Sequence, residues 1–160
     1  MLLLAVGCSP AEPVGMSAAG SGPGAGSPPL LLDLMGAPGQ VRVAGTQIAL
    51  AAEAWLDRMP RVVAEGETPP GPLQVRVRLA TEPGVPKPML ELERVWVISG
   101  ESVWDARPRD VRRVDGAVEA MIGGGPAPQP GLPLDVAVRF KGADGARHHL
   151  KVRIGVQSVF

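Results

Sequence analysis

Strict alternation of apolar and polar side chains is the feature that most constrains how this chain folds. From Leu73 to Leu79 every second residue is Leu or Val, with Gln or Arg between them. The same period-two pattern recurs from Leu134 to Phe140 and from His149 to Ile154. Because successive side chains of a strand point to opposite faces of its sheet, the pattern predicts antiparallel strands with one face in a core and the other in water.

Turn signals join some of these strands into hairpins. Asp144-Gly145, between the last two alternating segments, supplies the positive φ angles of a tight turn. A shorter hairpin is expected between Val41–Val43 and Gln47–Leu50. We further expect Val156–Phe160 to extend the final strand beyond a bulge at Gly155.

The middle of the chain contains strand candidates on both sides of Gly100. Met89–Leu92 and Val95–Ile98 alternate out of step, because Glu93-Arg94 interrupts the pattern. This interruption predicts a bulge or a fully buried strand end. Ser102–Asp105 follows as a further strand after the turn at Gly100.

Proline and glycine interrupt the chain too often for long helices. The breaks are Pro69–Pro72, Pro83–Pro86 and Gly123–Pro133, which leave only Ala51–Met59 and Val111–Met121 as helix candidates. About seven short strands separated by turn signals predict an all-β fold, an immunoglobulin-like antiparallel β-sandwich. A small barrel is the alternative.

The segment before residue 30 has a different composition. Of the 21 residues from Ser9 to Pro29, 18 are Ser, Pro, Ala or Gly. Such a segment buries too little apolar surface to offset its ordering entropy, so we predict a disordered stalk over residues 8–29 and one domain over residues 30–160. As a flexible coil the stalk would span roughly 25 Å.

The apolar run Leu2–Gly7 ends at Cys8, the only cysteine of the chain. This run resembles the lipobox of bacterial lipoproteins, in which a small residue precedes the cut and the following cysteine is acylated. The resemblance implies that Gly7 precedes the cut, that Cys8 carries the lipid, and that residues 1–7 are a signal remnant. No Lys or Arg precedes Cys8, so the start codon is expected upstream. The alternative is a short apolar N-terminus of a cytosolic protein.

Four segments together are similar to short bacterial lipoproteins that carry a sandwich of this type. They are Trp55–Pro60, Pro69–Leu73, Val95–Val97 and Val103-Trp104. The resemblance covers about half of the domain and implies architecture only. No activity transfers with it, because a fold hosts many functions.

Charge excludes one class of partner. The 16 basic and 16 acidic residues balance, and since Glu12 is the only charged residue before residue 30, the domain carries about +1. That balance provides no electrostatic footprint for nucleic acid or for an anionic bilayer. The expected partners are therefore the membrane, through the lipid anchor, and an envelope protein.

Metal-ligating residues are few. His148-His149 are adjacent and should point to opposite faces of a strand, and zinc requires three or four ligands. Thioethers suit Cu(I), but the methionines show no Met-x-Met clustering and serve as core fillers. The domain methionines are Met35, Met59, Met89 and Met121. We therefore predict no metal site and no cofactor.

Catalytic motifs are equally scarce, and we predict no catalytic residue. No Gly-x-Ser-x-Gly occurs, and Gly123–Gly125 lacks the Lys-Ser or Lys-Thr of a phosphate loop. The carboxylates are expected to form salt bridges with interleaved arginines, and the tryptophans are expected in the core. These carboxylates and tryptophans are Asp105, Asp110, Asp115, Glu119, Trp55, Trp96 and Trp104.

These features predict a non-enzymatic lipoprotein of the cell envelope that binds or scaffolds another component through a sheet edge or the loops at one end. A periplasmic copper-handling protein and an envelope hydrolase remain as alternatives. The first requires His148 or His149 to converge with methionines, and the second requires a deep pocket with perturbed carboxylates. Ser9-Pro10 lacks the aspartate associated with inner-membrane retention, which slightly favours the outer membrane.

Overall fold

The structure is a computed structural model that describes residues 28–59, 65–66, 71–85, 88–129 and 131–159. The predicted signal remnant, the lipidation site Cys8 and the stalk up to residue 27 lie outside the described residues, as does Phe160. The elements are α1 (Pro28–Gly36), β1 (Gln40–Val43), β2 (Thr46–Asp57), β3 (Gly71–Thr81), β4 (Glu91–Ser99), β5 (Ser102–Ala106), β6 (Arg109–Val114), β7 (Ala117–Gly124), β8 (Leu134–Lys141), β9 (Arg147–Ile154) and β10 (Val156–Val159).

The strands form two sheets that pack into a β-sandwich. The first sheet has the order β1-β2-β3-β7-β6, with β10 also paired to β2, and the second has the order β5-β4-β8-β9. The inward-facing side chains of both sheets share one core, which includes Val75, Val77, Val136, Val138 and Phe140. The predicted two-sheet antiparallel sandwich is thus confirmed, with ten short strands in the described part instead of about seven.

The alternating segments form the strands that they predict. β3 buries Leu73, Val75, Val77 and Leu79, while Arg76 and Arg78 face solvent. β8 and β9 form the predicted hairpin, and the β1–β2 hairpin turns at Ala44-Gly45, both at positive φ. The predicted break in β4 is present as a register shift between Leu92 and Arg94.

Both helix candidates are wrong. Ala51–Met59 belongs mostly to β2, and Val111–Met121 contains the β6–β7 hairpin, which turns at Asp115-Gly116. β2 has a hydrogen-bonded neighbour along both sides, β3 on one side and β1 and β10 on the other. This pairing overrides the helix propensity of its alanines, since propensity is a weak prior.

The expected extension of the final strand is also wrong. After Gly155 the chain leaves the second sheet, and β10 pairs in parallel with β2 of the first sheet, with Val156 opposite Ala54. β8 begins at Leu134, opposite Ile154, so β9 has no partner beyond that point. β1 pairs with β2 only as far as Ala49, which leaves the second half of that edge open for β10.

Helix α1 lies on the outer face of the second sheet and was not anticipated. It buries Leu34 against Trp96 and Ala137, whose side chains point away from the central core. The chain then crosses the seam between the sheets, because the Pro38 carbonyl accepts from Lys151 N at 2.9 Å and the Gly39 carbonyl accepts from Leu50 N at 3.0 Å. With nine residues, α1 is too short to cross a bilayer, and no other described segment is a helix that could do so.

Candidate binding site at one end of the sandwich

One end of the sandwich is built around the proline-rich loop whose described residues are 125–129 and 131–133, and we call it the loop end. β7 ends at Gly124 and β8 begins at Leu134, so this loop carries the chain from the first sheet to the second. Gly125 and Leu73 exchange backbone hydrogen bonds of 3.1 and 3.2 Å, which fix the start of the loop to β3. The β4–β5 turn at Gly100 lies against the loop on the other side.

A slot of about 90 Å³ opens between this loop and β5. Its lining is Leu73, Val97, Ser99, Ser102, Val103, Trp104, Pro126, Ala127, Pro128, Gln129 and Leu134. The Trp104 ring lies directly on Gly125, where an added Cβ atom would come within 2.4 Å of ring carbons. A glycine is therefore required at this position for the ring to form one wall of the slot.

Ser99 is the unusual residue of the slot. Its side chain points inward at the end of β4, the residue is only 8% exposed, and its Oγ has no hydrogen-bond partner within the described structure. Buried hydroxyl groups are usually paired. This one has almost no accessible surface, so Ser99 borders the slot through its other atoms. None of the residues that line the slot carries an ionisable side chain.

Exposed apolar side chains also occur on α1, in the loop and just after β2. Leu32 and Met35 of α1 are 74% and 37% exposed, Leu132 is 42% exposed, and Met59 just after β2 is 69% exposed. We call these four residues the apolar rim. Leu31, Met35, Ile98, Leu132 and Pro133 help to line a depression of about 410 Å³, so α1 and the loop form one surface.

Two ion-pair networks cover the outer face of the second sheet. Arg139 and Arg147 each donate to the Glu93 carboxylate at 2.9 Å. Arg153 makes two bonds to Asp135, of 2.9 and 3.1 Å. The hydrogen bond from Arg147 lowers the pKa of Glu93, and that from Arg153 lowers the pKa of Asp135, so both carboxylates are held ionised.

The two histidine side chains lie in different environments. His148 packs on Phe140, with ring centroids 5.5 Å apart, and its Nε2 lies 2.9 Å from Asp144. His149 lies on the outer face beside Trp96, and burial there lowers its pKa.

The structure distributes the methionines over several separate elements. Met121 faces outward from the first sheet, whereas His149 faces outward from the second, on the opposite side of the sandwich. Met35 is in α1, Met59 follows β2 and Met89 precedes β4. Among the residues that the structure describes, no three of His, Cys, Asp and Glu are placed to hold one metal ion.

The predicted pairing of these carboxylates with the interleaved arginines is found for Glu119 with Arg112, whereas the partner of Asp105 is on β4. Glu119 contacts Arg112 at 3.2 Å and Arg78 at 3.6 Å, while Asp105 pairs with Arg94 at 2.9 Å. Asp110 and Asp115 are at positive φ in the β6 strand and in the turn after it.

The tryptophans occupy three different environments. Trp96 is buried under α1, outside the central core. Trp104 is partly buried and walls the slot. Trp55 is partly buried below the Arg76 guanidinium, whose central carbon lies 5.7 Å from the ring centroid. The expectation of buried tryptophans is therefore met fully only by Trp96.

Sequence reasoning did not identify the slot. Two of its lining residues, Ser99 and Trp104, are on opposite strands of the β4–β5 hairpin, and others come from the loop. The Pro-Ala-Pro-Gln sequence at 126–129 was the available signal, because closely spaced prolines stiffen a loop.

Comparison of the chain with protein-family models, with curated proteins and with solved structures finds no significant match.

Proposed function

We propose that this chain is an exported lipoprotein, held to a membrane of the cell envelope by a lipid on Cys8, with the sandwich as a non-enzymatic binding or scaffolding module. The loop end is its contact surface, and its partner is another envelope protein. The observation that carries this proposal is the apolar rim, in which the exposed side chains of Met35 and Leu132 line one depression at the loop end. Leu32 lies three residues before Met35 in α1, and Met59 follows directly after β2 and Arg58, which lines a neighbouring depression with Leu132. Large apolar surfaces that remain exposed mark interaction sites.

The composition of α1 supports a covered surface at this end. Its sequence PPLLLDLMG contains a single polar side chain, Asp33. A helix that is apolar on all sides is normally buried on all sides. Here Leu34 is buried against the sheet, whereas Leu32 and Met35 are exposed, so a partner on that side would complete the burial.

The charged groups support a binding role over hydrolysis. A general acid requires a pKa raised toward neutrality. The pKa values of Glu93 and Asp135 move in the opposite direction, because arginines hold both carboxylates in the ionised form. The scattered histidines and methionines likewise give no support to copper handling.

The anchor is tested by fractionation of native cells that produce the wild type or Cys8→Ala. We expect the wild type in the membrane fraction and the variant outside it, because a lipidated cysteine supplies the membrane affinity. Recovery of both proteins in the soluble cytoplasmic fraction contradicts the anchor. Alkaline extraction of the membranes separates lipid anchoring from loose adsorption.

The contact surface is tested by photo-cross-linking in the same cells. A photoreactive amino acid replaces Leu132 in the apolar rim or, as the control, Met89, which is 74% exposed but precedes β4 at the opposite end of the sandwich. We expect a discrete cross-linked protein from position 132 and none from position 89. Equal cross-linking from both positions contradicts the assignment of the loop end.

A further inference from the structure

We infer that the first sheet binds a neutral saccharide on its outer face, in a depression of about 520 Å³ beside Trp55. A volume of this size is typical of small-molecule sites. The lining residues that determine the ligand are Trp55, Asp57, Gln74, Arg109, Asp110 and Gly123. Each of them is partly or fully exposed and therefore accessible from solvent. The depression shares no residue with the slot or the apolar rim, so its ligand is independent of the lipid anchor and of a protein partner.

The strand register places Trp55 and Gln74 side by side in this depression. Trp55 of β2 is opposite Gln74 of β3, and Gln74 is opposite Gly123 of β7. The preceding residue Ala54 and the following residue Val75 are buried in the core, so Trp55 and Gln74 face away from it. An indole ring and an amide therefore lie next to each other on the outer face of the sheet.

Gly123 makes room for the Gln74 amide. An added Cβ atom at Gly123 would clash with Gln74 Oε1 and Cδ, so the amide lies directly over the glycine. A glycine inside a strand often marks such a close approach. Within the described structure the Gln74 amide forms no hydrogen bond, so its N–H groups and its oxygen can pair with a ligand.

The charged side chains of the depression supply one donor group and two acceptor groups. The Arg109 guanidinium only donates, the carboxylates of Asp57 and Asp110 only accept, and the Gln74 amide does both. Hydroxyl groups also donate and accept, so a ligand with several hydroxyl groups can satisfy all of these side chains. An anionic ligand would meet two carboxylates and one guanidinium, which disfavours it. The favoured ligand is therefore neutral and rich in hydroxyl groups.

The Trp55 ring supplies the apolar contact of the site. A sugar ring combines an apolar C–H face with hydroxyl groups at its edge, and an indole offers a large apolar area to such a face. The Arg76 guanidinium lies 5.7 Å from the ring centroid and 3.4 Å from the Glu53 carboxylate, but it does not line the depression. Arg76 thus holds the ring from the Glu53 side, and the part of the ring that lines the depression is left for the ligand.

The pairing of the strands favours a saccharide over an extended peptide. Peptides commonly bind by adding a strand to a free sheet edge. β2, β3 and β7, which carry most of the depression, each have a hydrogen-bonded neighbour along both sides. The ligand is therefore recognised by side chains on the face of the sheet and not by backbone hydrogen bonds.

The first experiment applies the full chain to an array of immobilised oligosaccharides that contains neutral glycans and their uronic-acid counterparts, with a peptide array in parallel. We expect binding to a subset of the neutral glycans, with dissociation constants between about 10 μM and 1 mM. Binding to the acidic counterparts should be at least about fivefold weaker, because the carboxylates of the site oppose them.

The second experiment locates the bound glycan. The neutral oligosaccharide that binds most tightly is titrated into the full chain while NMR follows the indole N–H groups. The Trp55 resonance should shift in a saturable way. The Trp96 resonance is the internal control and should not shift, because Trp96 is buried under α1 on the second sheet.

Variants on the outer face test the individual contacts. Gln74→Ala removes the amide and should weaken the binding of that glycan about fivefold. Gln47→Ala is the matched control, because Gln47 lies at the opposite end of β2 and bonds to Gln40, and the affinity should stay within about twofold of the wild type. Trp55→Ala should weaken binding at least about tenfold, and Trp55→Phe should restore part of it. The thermal unfolding of each variant verifies its fold.

Four results would overturn the inference. One is the absence of binding to every neutral glycan, and another is equal or tighter binding of the acidic counterparts; neither requires a variant. The third is a saturable shift of Trp96 without one of Trp55, or an unchanged affinity in a folded Gln74→Ala protein. The fourth is a Trp55 shift with peptides alone, which would assign the depression to a peptide instead.

Discussion

Leu34 of α1 is 1% exposed and packs on Trp96 on the outer face of the second sheet. This contact attaches the helix to the sandwich. We expect Leu34→Ala to lower the free energy of unfolding by about 2–3 kcal/mol, because it leaves a cavity beside a large ring. Leu32→Ala on the exposed side of the same helix should change it by less than about 0.5 kcal/mol.

Urea unfolding measures both free energies, and amide hydrogen exchange of residues 31–36 shows whether the helix detaches. An equal, small effect of the two substitutions would mean that α1 does not contribute to the stability of the domain.

Asp135 should contribute more to stability than an exposed carboxylate. It is 7% exposed and accepts two hydrogen bonds from Arg153, so Asp135→Asn should cost about 1–3 kcal/mol. Glu53→Gln is the control, because the Glu53–Arg76 pair is 3.4 Å long with both side chains largely exposed, and it should cost less than about 0.5 kcal/mol.

The pKa of Asp135 is lowered in the folded protein by the Arg153 hydrogen bond. Its contribution is therefore present above the ordinary aspartate value and is lost as the pH falls through the lowered one. In the Asp135→Asn variant the free energy of unfolding should therefore decrease less than in the wild type when the pH is lowered from 5 to 2. An equal decrease in the variant and the wild type would contradict this contribution of Asp135.

His149 should weaken the fold at mildly acidic pH. Burial lowers its folded-state pKa below the ordinary value of 6.5, with Arg139 and His148 acting in the same direction and Asp33 and Glu93 against it. Above that value both states are neutral and no penalty exists. As the pH falls below it, the unfolded chain takes up the proton first, so the free energy of unfolding decreases.

We expect His149→Gln to lose less stability than the wild type between pH 7.5 and pH 5.5, as measured by urea midpoints. Glu93 and Asp135 do not interfere in this window, because both have pKa values below their ordinary carboxylate values. A decrease of the same size in both proteins would assign the acid sensitivity to another group.

Gly125 should not tolerate a side chain. An added Cβ atom would lie 2.4 Å from Trp104 ring carbons, so Gly125→Ala must displace the ring or the loop and should cost about 1–3 kcal/mol. Gly155→Ala is the control, because nothing lies within 4 Å of its Cβ position and its φ is not positive. Calorimetry gives both costs, and the Trp104 indole resonance reports whether the ring moves. A cost below that of the control would exclude a close contact.

The sequence predicts best those strands that have one face of the sheet exposed to solvent. β3 alternates buried and exposed residues along Leu73–Leu79, so its period is visible in the sequence. β8 is buried on both faces from Leu134 to Val138, and it remains recognisable because Asp135 and Arg139 mark the outer side. β2 contains alanines and a glutamate that are compatible with a helix, and its pairing with β3, β1 and β10 makes it a strand.

The candidate site could not be predicted from the sequence, for a different reason. The slot is formed by β3, β4, β5, β8 and the loop, which are distant in sequence and meet only after the sheets have packed. A buried serine at a strand end has no period and no motif. The apolar rim was equally hidden, because Leu32 and Leu34 are chemically identical and only the docking of α1 separates the exposed one from the buried one.

The hydrogen bonds that the Pro38 and Gly39 carbonyls accept from the two sheets have a mechanical consequence. Any pull on the chain before Pro28 reaches the sandwich through α1, which is attached mainly by side-chain packing around Leu34. The helix would detach first. The force would then act on the Pro38–Lys151 and Gly39–Leu50 backbone hydrogen bonds, which connect the chain to both sheets. Under tension α1 would therefore extend before the hydrogen bonds that hold the sandwich are strained.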